Sequence, residues 1–330
     1  MKAIIPVAGI GSKLRPHTHT QPKALVPVAG KPILSHIVDK LVSTGVNDFV
    51  FIIGYLGDKI EEYIKSNYKD LKTQFVLQDP REGTGQAVWL SKPHVIENEE
   101  VIIALGDTIF DVDLKDVIES GESLLGVKKV LDPRNFGVAE LDEHGIIRHV
   151  VEKPPIPKSN LALVGIYKIK ETKQLFDALD YLISKNLRTQ GEFHLTDAIM
   201  LMISDGVLFK TFAVENWYDC GVKDNLLETN AMLLKKNCKA VESDKYVNTI
   251  IIPPVSIADN CQISNSIIGP NVSIGENTII NYSILKDAII GSYSELKNAV
   301  LHHSVIGSDA SLQGQSQSLN LGDSTEIDFG

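Results

Sequence analysis

Two glycines, Gly9 and Gly11, follow the apolar run KAIIPV (2–7), and three cations, Lys13, Arg15 and Lys23, follow them at short range in AGIGSKLRPHTHTQPKALVPVAGK (8–31). The apolar run reads as a short buried strand, so the loop Ala8, Gly9, Ile10, Gly11, Ser12, Lys13 leaves a strand end, where open α/β sheets bind their ligands. Glycine lets the backbone come close to an anion and turn its N–H groups toward it, and lysine and arginine then neutralise a triphosphate. Two common phosphate loops are excluded. A dinucleotide fingerprint needs a third glycine where this chain has Leu14, and a P-loop needs Ser or Thr where Gly30-Lys31 is followed by Pro32. A second chemical element is LGDTIF, which puts Asp107 just after the apolar run EVIIALG (100–106). A carboxylate at the end of a central parallel strand faces the ligand crevice, and Mg2+ accompanying a triphosphate takes a few hard oxygen ligands rather than a full protein cage.

The elements that must hold these residues alternate. NDFVFII (47–53), TQFVLQ (73–78) and EVIIALG are continuous apolar runs of strand length, with helical periodicity over 32–43 and 58–66 between them. Strands interleaved with helices predict a largely parallel sheet with right-handed crossovers. Over 123–169 the pattern alternates around a turn at Asp142 to Gly145, which predicts antiparallel strands, and helices return at 171–184, 195–205 and 224–236. After 247 the pairs Ile268-Gly269, Ile274-Gly275, Ile290-Gly291 and Ile306-Gly307 recur, with Val272, Thr278, Ser294 and Ala310 four positions after each isoleucine. That is a hexapeptide pattern, read as a left-handed parallel β-helix of about four coils with slipped register.

At 330 residues the chain has room for a large α/β domain and a second module. With 22% charged and 43% apolar residues it reads as an ordinary soluble globular protein. A formal charge of -10 argues against a nucleic-acid surface, so an anionic substrate must be met by local cations. Cys220, Cys238 and Cys261 have neither disulfide nor zinc spacing and fit a reducing cytoplasm. No apolar run approaches a membrane span, and the N-terminus is too short in its apolar stretch for a signal peptide. The acidic run 97–100 reads as solvated surface.

GxGxxxRP followed by PKALVPVxGKP resembles the signature of the sugar-1-phosphate nucleotidylyltransferases, and the similarity runs through about the first 235 residues. The resemblance is greatest to the glucose-1-phosphate thymidylyltransferases. It implies a Rossmann-like α/β domain with a mixed, mostly parallel sheet over 1–240, followed by the β-helix over 248–320 and a tail over 321–330. It also implies an enzyme that joins a nucleoside triphosphate to a sugar 1-phosphate and releases pyrophosphate, with Mg2+ as cofactor.

Several roles come from the resemblance alone. NWYDCG makes Asp219 the second Mg2+ ligand beside Asp107, with Trp217 as packing. FGV, EKP and PKSN place the sugar phosphate on Gly137, Glu152, Lys153 and Asn160, and GEFHLTDAI adds Glu192. QDPREGTGQA assigns the base to Gln78 and Gly83. Physical chemistry agrees with the sugar roles, since a carboxylate accepts from hydroxyls and an ammonium holds a phosphate. Catalysis falls to Arg15, Lys23 and Asp107 by alignment and charge neutralisation, since the attacking phosphate oxygen is already anionic. The chain also departs from the family pattern. Ser12-Lys13 replaces the usual Thr-Arg, Thr108 stands where asparagine is common, and Val164 replaces a threonine.

The glutamine amide reads uracil or thymine but could pair with a purine. PKALVPVxGKP also resembles the guanylyltransferases, so the resemblance admits GTP with mannose 1-phosphate beside dTTP or UTP with glucose 1-phosphate. A non-catalytic nucleotide-sugar sensor and an acyltransferase on the prism, invited by His302-His303, are further readings. A short prism caps poorly alone, which predicts a homo-oligomer, dimer or larger, with the β-helix contributing.

Overall fold

The computed structural model describes residues 1–237 and 242–314. Cys238 and the tail 321–330 lie outside the described residues, as do the last residues of the expected β-helix. The chain divides into two compact units, Met1–Thr229 and Asn230–Gly330. The division falls inside the helix Lys223–Lys236, earlier than the change of sequence pattern.

In the first unit a sheet runs in the order Ile147–Glu152, Gly137–Leu141, Leu161–Ile169, Val101–Ala104, Lys2–Pro6, Asp48–Ile53, Lys72–Leu77. Lys2–Pro6 pairs in parallel with both Asp48–Ile53 and Val101–Ala104, and Asp48–Ile53 pairs in parallel with Lys72–Leu77. The chain thus builds outward from its first strand in one direction and then returns to add Val101–Ala104 on the other side. Strand order reverses between Lys2–Pro6 and Val101–Ala104, and the loops leaving their carboxyl ends diverge there, opening a crevice. Lys2–Pro6, Asp48–Ile53 and Val101–Ala104 are buried on both faces, whereas Lys72–Leu77, at the sheet edge, alternates exposed and half-buried residues. Ala3, Ile4, Ile5, Phe49, Val50, Phe51 and Ile52 are fully buried, each large side chain stabilising by roughly 1.5–3 kcal/mol. Leu161–Ile169 joins antiparallel to Val101–Ala104, as the alternating pattern implied, and Ser123–Lys129 pairs with it on its other side. Phe209–Ala213 then adds in parallel to Ser123–Lys129.

The helices at 32–43, 58–66, 171–184, 195–205 and 224–236 form within one or two residues of the predicted bounds. Ile33–Val42 buries Ile33, Leu34, Ile37, Val38 and Leu41, one stripe at helical spacing. The short helix Thr84–Leu90 was not anticipated. The acidic run corrects another expectation. Glu100 pairs at 3.2 Å with Lys168, a lysine that is itself fully buried, and Glu99 lies 3.7 Å from the buried Lys2 ammonium.

His36 on Ile33–Val42 holds the hairpin that follows the cationic loop, its neutral Nε2–H donating to the Val28 carbonyl at 2.9 Å. Burial, reinforced by the charge of Lys31, outweighs that bond and pushes the imidazole down to about 4 from an ordinary 6.5. Between those values the unfolded chain binds more protons than the folded one, so stability is lost as pH falls from 6.5 through 4. The full loss is about 3 kcal/mol at 1.36 kcal/mol per unit. Urea midpoints for His36→Gln are expected to fall less steeply than wild type between neutral and acid pH. Parallel slopes would rule the assignment out.

The second unit is a parallel β-helix of four coils with three faces. Ile250–Ile251 pairs with Ile267–Ile268 and so on to Ile284–Ile290 and Val300–Ile306. Val255–Ile257 and Val272–Ile274 continue onto the later halves of those long strands. Gln262–Ser264, Ile279–Asn281, Glu295–Lys297 and Ser311–Gln313 form the third face. Ile268, Val272, Ile280, Leu285, Ile290 and Leu296 fill the inside. Two of the four residues that follow an Ile-Gly isoleucine by four positions have a specific use: Thr278 donates to the Gly291 carbonyl at 3.0 Å and Ser294 to Gly307 at 2.9 Å, tying successive coils together. The coil corners carry positive φ at Asn248, Asn265, Tyr282 and Asn298, and at Asn260, Asn277, Tyr293 and Asp309. Asparagine and aspartate tolerate that region. Asn230 is buried and bonds Asn271 and Ser273.

Candidate active site

Lys2–Pro6 ends at Val7, whose N–H reaches the Ile52 carbonyl at 2.8 Å, and Val101–Ala104 ends at Leu105 and Gly106, bonded to Gly165 O at 2.8 Å and Pro6 O at 3.1 Å. These ladders fix the two strand ends side by side. The crevice between them is a cavity of about 270 Å3 lined by residues that include Ala8, Gly9, Lys23, Gln78, Gly83, Asp107 and Glu192. Seven residues assigned from sequence, in segments far apart along the chain, therefore share one cavity.

The two aspartates meet through an antiparallel ladder. Thr108–Asp111 pairs with Asn216–Asp219, with Asp219 opposite Thr108, and Cys220 N–H donates to the Asp107 carbonyl at 3.2 Å. Lys23 stands on a short turn, Lys23–Leu25, held by its buried Ala24 and Leu25. Its Nζ donates to Asp107 Oδ2 at 2.7 Å and lies 3.9 Å from Asp219 Oδ1. Thr108 Oγ1 donates to the other Asp107 oxygen at 3.2 Å. Burial alone would raise both acids. The Lys23 ammonium overrides it at Asp107, which is held below the usual carboxylate range, whereas at Asp219 burial and the neighbouring Asp107 charge win and the pKa is raised. Burial pushes the adjacent Cys220 thiol up to about 12, which keeps it a protonated thiol near neutral pH.

Gly11 has φ +68, and a Cβ there would lie 2.9 Å from the Lys23 Cβ, so this glycine makes room for the lysine stem. Ser12, Lys13 and Arg15 are exposed and do not line the cavity, because the turn Ser12–Leu14 directs Leu14 inward. Lys13 still acts at a distance, its charge partly opposing the rise in the Asp219 pKa.

Gln78 is buried, and its Nε2 donates to Gly83 O at 2.9 Å and to Gln86 Oε1 at 2.7 Å. Gln86 in turn donates to the Pro80 carbonyl at 3.0 Å, which fixes both amide orientations. The glutamine therefore keeps only its carbonyl for a ligand, not both functions of the amide. Gly83 packs against the other loop, where a Cβ would collide with the Phe193 carbonyl and sit 2.9 Å from Glu192 Cβ. Arg188 clamps the same two loops, reaching Glu82 at 2.5 Å and stacking 4.1 Å over Phe193.

Glu152 pairs opposite Gly137 and accepts from Thr196 Oγ1 at 2.9 Å. His194 Nδ1 lies 3.9 Å from the other Glu152 oxygen, and Lys153 Nζ lies 3.7 Å from it. Asn160 does not join them. It lines a separate cavity with Glu140, Lys158 and Ser159, because Gly165, which bonds Leu105 beside the first cavity, is five residues farther along, about 17 Å of extended strand. Arg81 and Thr84 line the first cavity and Thr196 holds Glu152, though none was singled out from sequence. All three lie within quoted motifs, which was the available signal. Trp217 packs edge-on to Phe136 at 4.5 Å.

Residues 2–236 match the sequence model of the Nucleotidyl transferase family. The chain belongs to this family. A nucleotidyl transferase relative in Methanocaldococcus jannaschii, described as Bifunctional protein GlmU, is 37% identical over 78% of this chain and 60% of that protein. The Haloferax volcanii protein described as Low-salt glycan biosynthesis nucleotidyltransferase Agl11 is 34% identical over 71% of this chain and 66% of that one. The chain thus spans about three fifths to two thirds of the length of these relatives. A solved structure from Bacillus anthracis, provisionally described as a glucose-1-phosphate thymidylyltransferase, shares 30% identity and a TM-score of 0.61 over 70% of this chain and 94% of that one. Among the described residues no helix is long and apolar enough to cross a membrane.

Proposed function

We propose that this nucleotidyl transferase joins a nucleoside triphosphate to a sugar 1-phosphate, with dTTP or UTP and glucose 1-phosphate as its substrates. The observation that carries the reading is the convergence of Asp107 and Asp219 on the Lys23 ammonium, beside Gly9 and at the point where strand order reverses. Two hard carboxylates suit Mg2+, which takes its remaining oxygens from phosphates and water. When bound there, the ion would neutralise phosphate charge and polarise the reacting phosphorus.

The protein's own groups do the rest. Gly9 and Ala8 admit the phosphates close to the backbone, and Lys23 stabilises charge as pyrophosphate departs. Arg15, exposed here, reaches the triphosphate only by closing over it. Glu152, held by Thr196, accepts sugar hydroxyls, and Lys153 keeps the attacking phosphate in line. The free Gln78 carbonyl accepts an imino N–H, which uracil and thymine supply. Guanine supplies one too, and that observation sustains a second reading as a mannose-1-phosphate guanylyltransferase.

Pyrophosphate release over five triphosphates and a panel of sugar 1-phosphates, with Mg2+, tests both. Turnover of dTTP or UTP with glucose 1-phosphate is expected. GTP with mannose 1-phosphate would establish the second reading, and product binding with no pyrophosphate release from any pair would make the protein a sensor.

The β-helix carries an uncharged outward column of Ile250, Ile267, Ile284 and Val300, flanked by the exposed Tyr282. A second copy of the chain fits it, since like faces meet there without like charges. Ile284→Asp, a surface change worth within about 0.5 kcal/mol of stability, is expected to lower the mass measured by light scattering. A wild-type monomer, or an unchanged mass, would refute the assembly.

A further inference from the structure

We infer that Lys23 holds the place of the divalent cation and links metal binding to triphosphate binding. The inference rests on the metal-site reading above but adds a competition within it. Both Asp107 oxygens are engaged, Oδ2 by the Lys23 ammonium at 2.7 Å and Oδ1 by Thr108 at 3.2 Å. The same ammonium stands 3.9 Å from Asp219 Oδ1, so one positive charge serves both acids. Its side chain is 13% exposed, against 46% for Asp107 and 42% for Asp219, so the lysine forms the inner wall while the acids remain open to incoming ions.

A divalent ion that uses both carboxylates needs the ground the ammonium holds, and the two cations repel at that range. The ion must therefore break the Lys23 contacts, and the lysine, on a partly buried stem packed against Gly11, needs another anion. A triphosphate in the adjoining cavity is that anion. Lys23 then leaves the acids for phosphate oxygens as the metal arrives, and each ligand favours the other by the same factor. Metal alone binds weakly, and metal with triphosphate binds as a unit. Lys13, whose charge also reaches Asp219, is exposed and lies on a different turn.

The probe is Mn2+ alone, titrated without nucleotide by electron paramagnetic resonance. Lys23→Met, which keeps the stem and removes the charge, is expected to bind Mn2+ at least tenfold tighter than wild type, and Asp107→Asn in that background is expected to abolish the gain. If Lys23→Met does not fold, wild type still reports. Amine acylation read by mass spectrometry is expected to show Lys23 several-fold more reactive when Mn2+ saturates the protein. Equal or weaker Mn2+ binding by Lys23→Met, or unchanged Lys23 reactivity while Mn2+ binds in an Asp107-dependent way, overturns the competition and leaves the metal site standing. No Asp107-dependent Mn2+ binding in either protein sinks the metal site and the competition together.

Discussion

Asp107→Asn is expected to lower the turnover number for pyrophosphate release about 10³-fold, the upper end of what the loss of one pre-organised charge costs. The substitution is nearly isosteric, and the asparagine carbonyl can still accept from Thr108, so the strand-end geometry survives. What disappears is a full negative charge facing Lys23 at 2.7 Å. Asp219→Asn is expected to cost a similar factor, because the ladder that places Asp219 opposite Thr108 brings both acids to the one Lys23 ammonium. Groups that act as a unit are not additive, so the double variant should fall within a few-fold of the worse single variant. Steady-state turnover at saturating substrates for the four proteins of this cycle is the measurement. Losses that multiply would mean two independent roles, and a loss under tenfold at Asp107 would remove it from the chemistry.

The parts of this site that were legible in the sequence were local. A strand, a glycine turn and a cation are neighbours along the chain, and an apolar run ending in Gly-Asp announces a carboxylate at a strand end. Asp219 could not be found that way, because the pairing of Asn216–Asp219 with Thr108–Asp111 joins distant segments. Only the motif around it pointed there. Thr84–Leu90 was overlooked because its first four residues, TGQA, close a motif read as a base-binding loop. Tertiary burial of Gly85, Gln86, Ala87 and Val88 makes it a helix. That helix decides the state of Gln78, since Gln86 takes one of its two N–H groups, a detail no spacing encodes. Asn160 is placed by its strand, which the motif alone does not reveal. Its motif is close to the expected one, but an extended strand carries it away from Glu152 and Gly137 to another cavity. In the β-helix the four Ile-Gly pairs mark only three of the coils, since Ile268-Gly269 and Ile274-Gly275 share one, whereas the corner residues Asn248, Asn265, Tyr282 and Asn298 recur once per coil and were the better marker of register.

Gly9→Ala is expected to reduce kcat/KM for the triphosphate about 10²-fold without lowering the melting temperature. A Cβ built at Gly9 meets nothing within 4 Å, and its φ is not in the left-handed region, so the folded protein has room for the methyl. Alanine also restricts the unfolded chain, which stabilises by about 0.4–1 kcal/mol where the backbone allows it. The cost must then fall on the ligand, because Gly9 lines the cavity and a displacement of about 1 Å in a positioned phosphate costs on the order of 10²-fold. Gly83→Ala supplies the contrast. With φ +108 and the Phe193 carbonyl in the way, its methyl strains the protein itself, by about 1–3 kcal/mol for the backbone alone. It should lower the melting temperature and weaken triphosphate binding together. Thermal melts and saturation kinetics of both variants separate a glycine kept for its ligand from one kept for its fold. Unimpaired triphosphate use by Gly9→Ala would mean that the anion enters somewhere other than the crevice between Lys2–Pro6 and Val101–Ala104.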